Sequence, residues 1–261
     1  MVVGTIIGAA IFVQPTEITK LVPSLGGVAL IWLLAGTLTF FGALVCAELA
    51  SAFPRTGGVY VFLNETYSPV VGFLWGWAMF WSMHSGILAA VAVVFARYLD
   101  YFIPLGDTGI QFAAAGAILV LSAVNYRGVA HGSRLQTLCT IIKVLAIFLM
   151  IVVGVTMVSG DAAAVGTSSS LDVTSTSPVD IVQALIAGLF AFGGWHMVTY
   201  AAGETIDPTR NIPRALMYGS IIVTVCYIAL NAVYMYILPL DVVVTSTRVA
   251  ADAADVIVDG S

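Results

Sequence analysis

A chain of 261 residues that is 60% hydrophobic and 9% charged, with mean hydropathy +1.04, is no soluble globular domain, since those carry about 25% charged residues. Its formal net charge of −5 and the absence of any basic stripe exclude nucleic acid as a partner. Cys46, Cys139 and Cys226 are widely spaced inside apolar runs, which argues against a disulfide framework or metal site and for small buried hydrophobes.

In chain order, apolar runs long enough to cross a bilayer predict seven helices, at about 1–22, 28–53, 70–99, 109–125, 135–158, 179–203 and 214–238. The short alternating segments of a barrel do not occur, so the fold class is all-α integral membrane. No basic n-region precedes the first run, so no cleavable signal peptide is expected. Pro54, Arg55, Gly57 and Gly58 read as a turn entering a short helix, and Glu48 as an interfacial carboxylate. Two stretches, 160–180 and Asp241 to Ser261, are rich in Asp, Ser, Thr and Ala and read as a polar loop and a polar tail.

Arg55, Arg127, Arg134, Arg210 and Arg214 all fall after even-numbered helices, whereas Lys20, Arg97 and Arg248 border the other side. Basic residues accumulate on the cytoplasmic side, which puts the start of the chain inside and the 160–180 loop outside. Tyr98, Tyr101, Tyr234 and Tyr236 then lie near outer helix ends, where aromatic belts form.

Two runs are interrupted by glycine. The first opens MVVGTIIGAAIF, with Gly4 and Gly8; the sixth reads IVQALIAGLFAFGGWHMVTYAAGE, with Gly193 and Gly194. Each glycine costs about 1 kcal/mol relative to alanine in a helix, so close packing or a deliberate break must compensate. Gly4 and Gly8 also fit a small-xxx-small packing motif. Helices one and six are, however, the positions that correspond if the fold contains two five-helix inverted repeats, where paired breaks point to a midplane binding site. Unwound backbone frees N–H and C=O groups that lipid cannot satisfy. Helix N-termini favour a carboxylate and freed carbonyls an ammonium, and a zwitterionic amino acid carries both.

GTIIGAAIF (4–12), AELASAFPRTGGVYVFL (47–63), NYRGV (125–129) and LFAFGGW followed by GETIDPTRNIPRA (189–215) together resemble the amino acid–polyamine–organocation permeases, most of all their L-type amino acid transporter branch. The resemblance covers essentially the whole chain. It implies a LeuT-type inverted-repeat fold of twelve helices, of which about seven are present. The expected organisation is 1–159 as a first five-helix repeat with helix 1 truncated, 160–180 as an extracellular loop, 181–238 as helices 6 and 7, and 239–261 as an extracellular tail whose remainder is missing. It also implies that N–H groups around Gly8, Ala9 and Ala10 hold a substrate carboxylate, and that carbonyls near Ile6, Phe190 and Gly193 hold its ammonium. Phe190 is the implied lid, with Phe192 and Trp195 shaping the side-chain pocket. Gly8-Ala9-Ala10 departs from the family's usual Gly-Ser-Gly, and Gly203-Glu204 from its two adjacent acidic residues.

Lys143 stands without an acidic neighbour in LCTIIKVLAIFLMIVVG. An intramembrane lysine is a functional hypothesis by default. Its ammonium would replace the cation that sodium-coupled relatives hold near the first helix, or carry a coupling proton, unless it snorkels to the cytoplasmic face. Glu204, Asp207, Arg210 and Arg214 read as a charge cluster stabilising one gate state, with Glu204 and Lys143 as the coupling or gating pair of residues. Asn125 and Asn231 read as helix–helix hydrogen bonds, and His84 and His196 as isolated residues, with His196 next to Trp195 near the substrate region.

The expectation is therefore a plasma-membrane, multi-pass secondary transporter, permease or exchanger, of neutral amino acids. It would use no covalent chemistry, cofactor or metal, with membrane lipid as its surroundings. The loop YLDYFIPLGDTG (98–109) has no cysteine, so no disulfide-linked glycoprotein partner is expected. A seven-helix receptor or photoreceptor, suggested by helix count and the intramembrane lysine, and a nonfunctional permease fragment stay open as alternatives.

Overall fold

The computed structural model describes residues 1–127, 129–161, 176–246 and 248–259; most of the predicted 160–180 loop lies outside the described residues. Among the described residues every regular element is helical. The first predicted helix is three pieces: α1 (Val2–Ile6), a 3-10 turn (Ala9–Phe12) and α2 (Gln14–Leu21). Then follow α3 (Leu25–Ala52), α4 (Val59–Thr66), α5 (Pro69–Ala78), a π-helical turn (Met79–Met83), α6 (His84–Phe102), α7 (Gly106–Tyr126) and α8 (Val129–Asp161). The sixth run is α9 (Pro178–Ala191) and a 3-10 segment (Trp195–Glu204), before α10 (Pro208–Ile237), α11 (Leu240–Thr245) and α12 (Val249–Asp259).

Six segments are long and apolar enough to cross a membrane: 25–52, 69–102, 106–126, 134–154, 178–204 and 208–237. The first run adds no seventh by that measure, because its break leaves no continuous helix of sufficient length. The protein is a multi-pass membrane protein. Large apolar side chains such as Phe80, Phe112 and Leu119 are 70% or more exposed on α5 to α8, a surface that suits hydrocarbon and not water.

Small residues set how closely the inner helices approach. A Cβ on Gly36 of α3 would lie 2.4 Å from Thr224 of α10, one on Gly4 of α1 2.3 Å from Thr140 of α8, and one on Gly219 of α10 2.6 Å from Val2. The core forms around α3 and α10, with α1, α2 and α9 against them. Ser24 caps α3 by accepting from the Gly27 N–H at 3.0 Å. Pro213 sits inside α10 without an N–H to give the Thr209 carbonyl. The Ser51 hydroxyl of α3 donates to that carbonyl instead, at 3.2 Å.

Several expectations are corrected. The tail after Asp241 is not a polar extension: α11 and α12 bury Val243, Val249, Ala250 and Ala253 in the core, because apolar residues at helical spacing share one face, leaving Asp241 exposed and Asp252 and Asp255 half-buried. Cys139 is exposed and Cys226 only half-buried; Cys46 is buried, and all three are free. The outer tyrosines do not all form a lipid-facing belt. Tyr234 is fully buried, Tyr98 donates to the Phe12 carbonyl at 3.2 Å, and Tyr101 donates to Asp255 at 2.9 Å. Asn231 binds within its own helix, Nδ2 donating to the Tyr227 carbonyl at 2.8 Å. Arg210 and Arg214 fall inside α10 rather than in a loop, and no ion pair among the described residues joins them to exposed Glu204 or to Asp207.

Candidate functional site

Both interrupted runs are broken where their glycines fall, and the breaks meet. In the first, α1 stops at Ile6, Ile7 turns to ψ 90°, and Gly8 is extended at φ −111° and ψ −165° before the 3-10 turn begins at Ala9. A helical turn leaves its first N–H groups without an internal acceptor, here those of Ala9 and Ala10. Gly8, Ala9 and Ala10 are all half-buried. The nearest atom to a Cβ on Gly8 would be 3.8 Å away, against 2.3 Å for Gly4. Packing and breaking are thus divided between the two glycines: Gly4 admits α8, and Gly8 lies at the break, where a Cβ would meet only an ordinary contact with the Ile6 carbonyl.

In the second break α9 ends at Ala191, the Gly193 N–H donates to the Phe190 carbonyl at 3.0 Å, and Gly194 takes φ +98°. A Cβ on Gly194 would stand 2.6 Å from the Thr5 carbonyl oxygen. Left-handed backbone and direct contact with the first break both require glycine there.

Two side chains tie the breaks together. The Tyr227 hydroxyl of α10 donates to the Ile6 carbonyl at 3.0 Å and lies 3.2 Å from the Ala191 carbonyl, so one hydroxyl spans both. Lys143 Nζ donates to the carbonyls of Gly4, at 3.0 Å, and of Ile7. It reaches inward to α1 and does not snorkel. Freed carbonyls are what an ammonium needs in a medium without water.

The remaining predicted residues divide by burial. Phe190 and Gly193 are exposed at the second break, and Trp195 is half-buried with its ring 3.0 Å from where a Gly42 Cβ would stand. Phe192 is fully enclosed, with ring centroids 6.1 Å from Trp32 and 5.0 Å from Tyr227. It lies in the packing behind the break, and its ring offers no face to a pocket. Ile6 is also buried, and its carbonyl already accepts from Tyr227. Glu204 stands apart, exposed at the end of the 3-10 segment.

That segment is locked to the α3–α4 connection. The Gly57 N–H donates to the Tyr200 carbonyl at 3.3 Å, and Cβ atoms on Gly58 and Gly203 would come within 2.5 Å of Thr199 and 2.4 Å of Thr56. The fold also brings together His84, Tyr200 and His196, with ring centroids 6.4 Å and 5.8 Å apart in succession. Sequence reasoning missed Tyr227, Trp32 and Tyr200. A tyrosine in mid-helix was the available signal for Tyr227, but aromatic residues are frequent enough here to conceal it.

Three relatives illustrate the similarity. Over 260 residues the chain is 32% identical to the b(0,+)-type amino acid transporter 1 of Mus musculus, covering 98% of this chain and 53% of that protein. Over 241 residues it is 31% identical to the large neutral amino acids transporter small subunit 2 of Oryctolagus cuniculus, covering 90% and 45%. Over 261 residues it is 32% identical to the serine/threonine exchanger SteT of Bacillus subtilis (strain 168), covering 100% and 58%. The chain spans about half the length of these curated relatives. The amino acid permease profile matches residues 1–258, and the seven-helix receptor alternative is not favoured. The chain belongs to the amino acid permease family of the amino acid–polyamine–organocation superfamily.

Proposed function

We propose that this chain carries the substrate site of a secondary transporter, permease or exchanger, that moves neutral amino acids by alternating access without covalent chemistry. The observation that carries this reading is the contact between the two breaks, with Gly194 placed where a Cβ would run into the Thr5 carbonyl and Tyr227 spanning Ile6 and Ala191. The substrate carboxylate meets the N–H groups around Gly8, Ala9 and Ala10. Its ammonium meets carbonyls near Ile6, Phe190 and Gly193, each of which keeps a second lone pair. Phe190 covers the site and Trp195 lines it. Lys143 serves as a built-in cation that holds α1 to α8, in place of a bound metal ion. No carboxylate stands at either break, which favours a neutral substrate over a dicationic one. The distribution of arginines supports a cytoplasmic start and an extracellular α11–α12 in the plasma membrane, and the loop at 98–109 offers no cysteine to a disulfide-linked partner.

The test is equilibrium binding of radiolabelled neutral amino acids to the purified 261-residue chain in lipid nanodiscs, together with uptake into proteoliposomes by a full-length relative carrying these residues. Saturable binding displaced by neutral but not dicationic amino acids is expected. No displacement by any neutral amino acid refutes the assignment.

A further inference from the structure

Beyond the paired breaks, the described residues hold one polar cluster with unused hydrogen-bonding capacity beside the proposed substrate pocket. His196 follows Trp195 directly, and their ring centroids are 5.5 Å apart. Its Nε2 is shielded from solvent and has no hydrogen-bond partner. Tyr200, one turn on, presents a hydroxyl in the same condition; Trp75 lies beside it, but no hydrogen bond of good geometry joins them. His84 closes the cluster from α6, immediately after the π-helical turn. π turns inside helices frequently mark functional positions. His84 also borders an open pocket of about 380 Å³, lined otherwise by Gly76, Met79, Phe80, Ser85 and Leu88, so there is room on the His84 side of the cluster.

Buried polar groups are almost always paired, and one left unpaired is destabilising. Two such groups side by side, with a pocket at the neighbouring His84, call for an occupant that pairs with them. A metal ion does not fit, since no group of three His, Cys, Asp or Glu side chains gathers among the described residues. An ionised side chain does not fit either, because a neutral imidazole and a phenol provide no countercharge. A hydroxyl or carboxamide fits: each both donates and accepts, as a neutral imidazole and a phenol do between them.

We propose that His196, with Tyr200 and His84, forms the side-chain end of the substrate site, selecting neutral amino acids whose side chains carry a hydroxyl or carboxamide over apolar ones of equal size. This rests on the amino acid site proposed above. A site built to hydrogen-bond a substrate group discriminates strongly against the analogue lacking it, because its own polar atoms are then left unpaired. Threonine and valine, nearly identical in shape, isolate the effect.

The experiment measures binding of radiolabelled threonine to the purified 261-residue chain in nanodiscs, with unlabelled threonine, serine, glutamine, valine and leucine as competitors. Threonine is expected to bind at least about tenfold more tightly than valine, the ratio that one hydrogen bond of about 1.4 kcal/mol gives. In His196→Phe and Tyr200→Phe that ratio is expected to collapse toward one. Valine competing as well as threonine overturns the inference while leaving the amino acid site standing. So does a threonine preference that both variants retain. Binding of no amino acid at all overturns the site and the inference with it. The wild-type ratio needs no variant, so a poorly folded mutant cannot hide the answer.

Discussion

Replacing Tyr227 by phenylalanine tests whether one hydroxyl holds the two breaks together. The ring is fully buried and packs against Trp32 at 5.3 Å and Phe192 at 5.0 Å, and phenylalanine keeps both contacts. Only the hydroxyl goes, and with it the partner of the Ile6 carbonyl at 3.0 Å and of the Ala191 carbonyl at 3.2 Å. Side-chain hydrogen bonds between membrane helices are worth about 0.6–1.7 kcal/mol. The upper end applies here, because these acceptors sit where the helix ladder is interrupted, and a buried acceptor without a donor costs about 1–3 kcal/mol. A single proton shared by two acceptors satisfies neither fully, so the two losses do not simply add. Tyr227→Phe is expected to destabilise the fold by about 2 kcal/mol. Tyr227→Leu, which also removes the ring contacts, is expected to lose at least about 1 kcal/mol more. Equilibrium unfolding in mixed micelles, followed by far-ultraviolet circular dichroism, reads both. A phenylalanine variant within about 0.5 kcal/mol of wild type, or a leucine variant no worse than it, refutes the bridge, since such a change is within the ordinary surface range.

The glycines separate by the same assay. Gly194→Ala must adopt φ +98° and meet the Thr5 carbonyl at 2.6 Å, so a loss above about 2 kcal/mol is expected. Gly4→Ala, 2.3 Å from Thr140, is expected to cost about 1–3 kcal/mol, whereas Gly8→Ala, with nothing closer than 3.8 Å, should change stability by under about 1 kcal/mol. Lys143→Met leaves the carbonyls of Gly4 and Ile7 without their donor and is expected to weaken amino acid binding at least about tenfold, about 1.4 kcal/mol; unchanged affinity in the nanodisc assay would remove Lys143 from the site. At the start of α12 Arg248 lies 4.3 Å over the Tyr101 ring and 3.4 Å from Asp252. Both charges are partly exposed, so Arg248→Ala should cost under about 1 kcal/mol globally yet raise hydrogen exchange in α12; protection unchanged there would show that α12 is held by its apolar face alone.

What was legible in the sequence was whatever rests on run length and on glycine. Spans, the paired breaks at helices one and six, and the short helix after Gly58 all follow from bilayer thickness and backbone freedom. The reach of Lys143 toward the first helix followed from the resemblance and from its lack of an acidic neighbour. What was not legible depends on partners remote in sequence. Nothing local to Tyr227 states that its hydroxyl meets residues 221 and 36 positions away. Phe192 shows the converse error: it stands two residues from Phe190 in the same motif, yet the turn at the break directs one ring outward and the other into the core. The α11–α12 region was misjudged for a different reason, because its acidic composition concealed the apolar spacing of Val249, Ala250, Ala253 and Val256.

Polar groups freed by breaking a membrane helix must find partners, and the chain itself supplies most of them. Lys143 takes the carbonyls of Gly4 and Ile7, Tyr227 that of Ile6, Tyr98 that of Phe12, and Gly193 that of Phe190. Each donor but Gly193 comes from a different helix, α8, α10 or α6, so the first break is held from three directions. The first N–H groups at Ala9 and Ala10 are the ones the turn itself leaves over, on residues that are only half-buried. The asymmetry has a functional consequence. With its carbonyls largely occupied, the first break retains a net donor character, which is the polarity the proposed carboxylate contact requires. In the proposed site the ammonium then lies between the Ile6 carbonyl and the second break, and the side chain toward Trp195 and His196, so the order in which backbone groups are satisfied is what the proposed orientation of the substrate rests on.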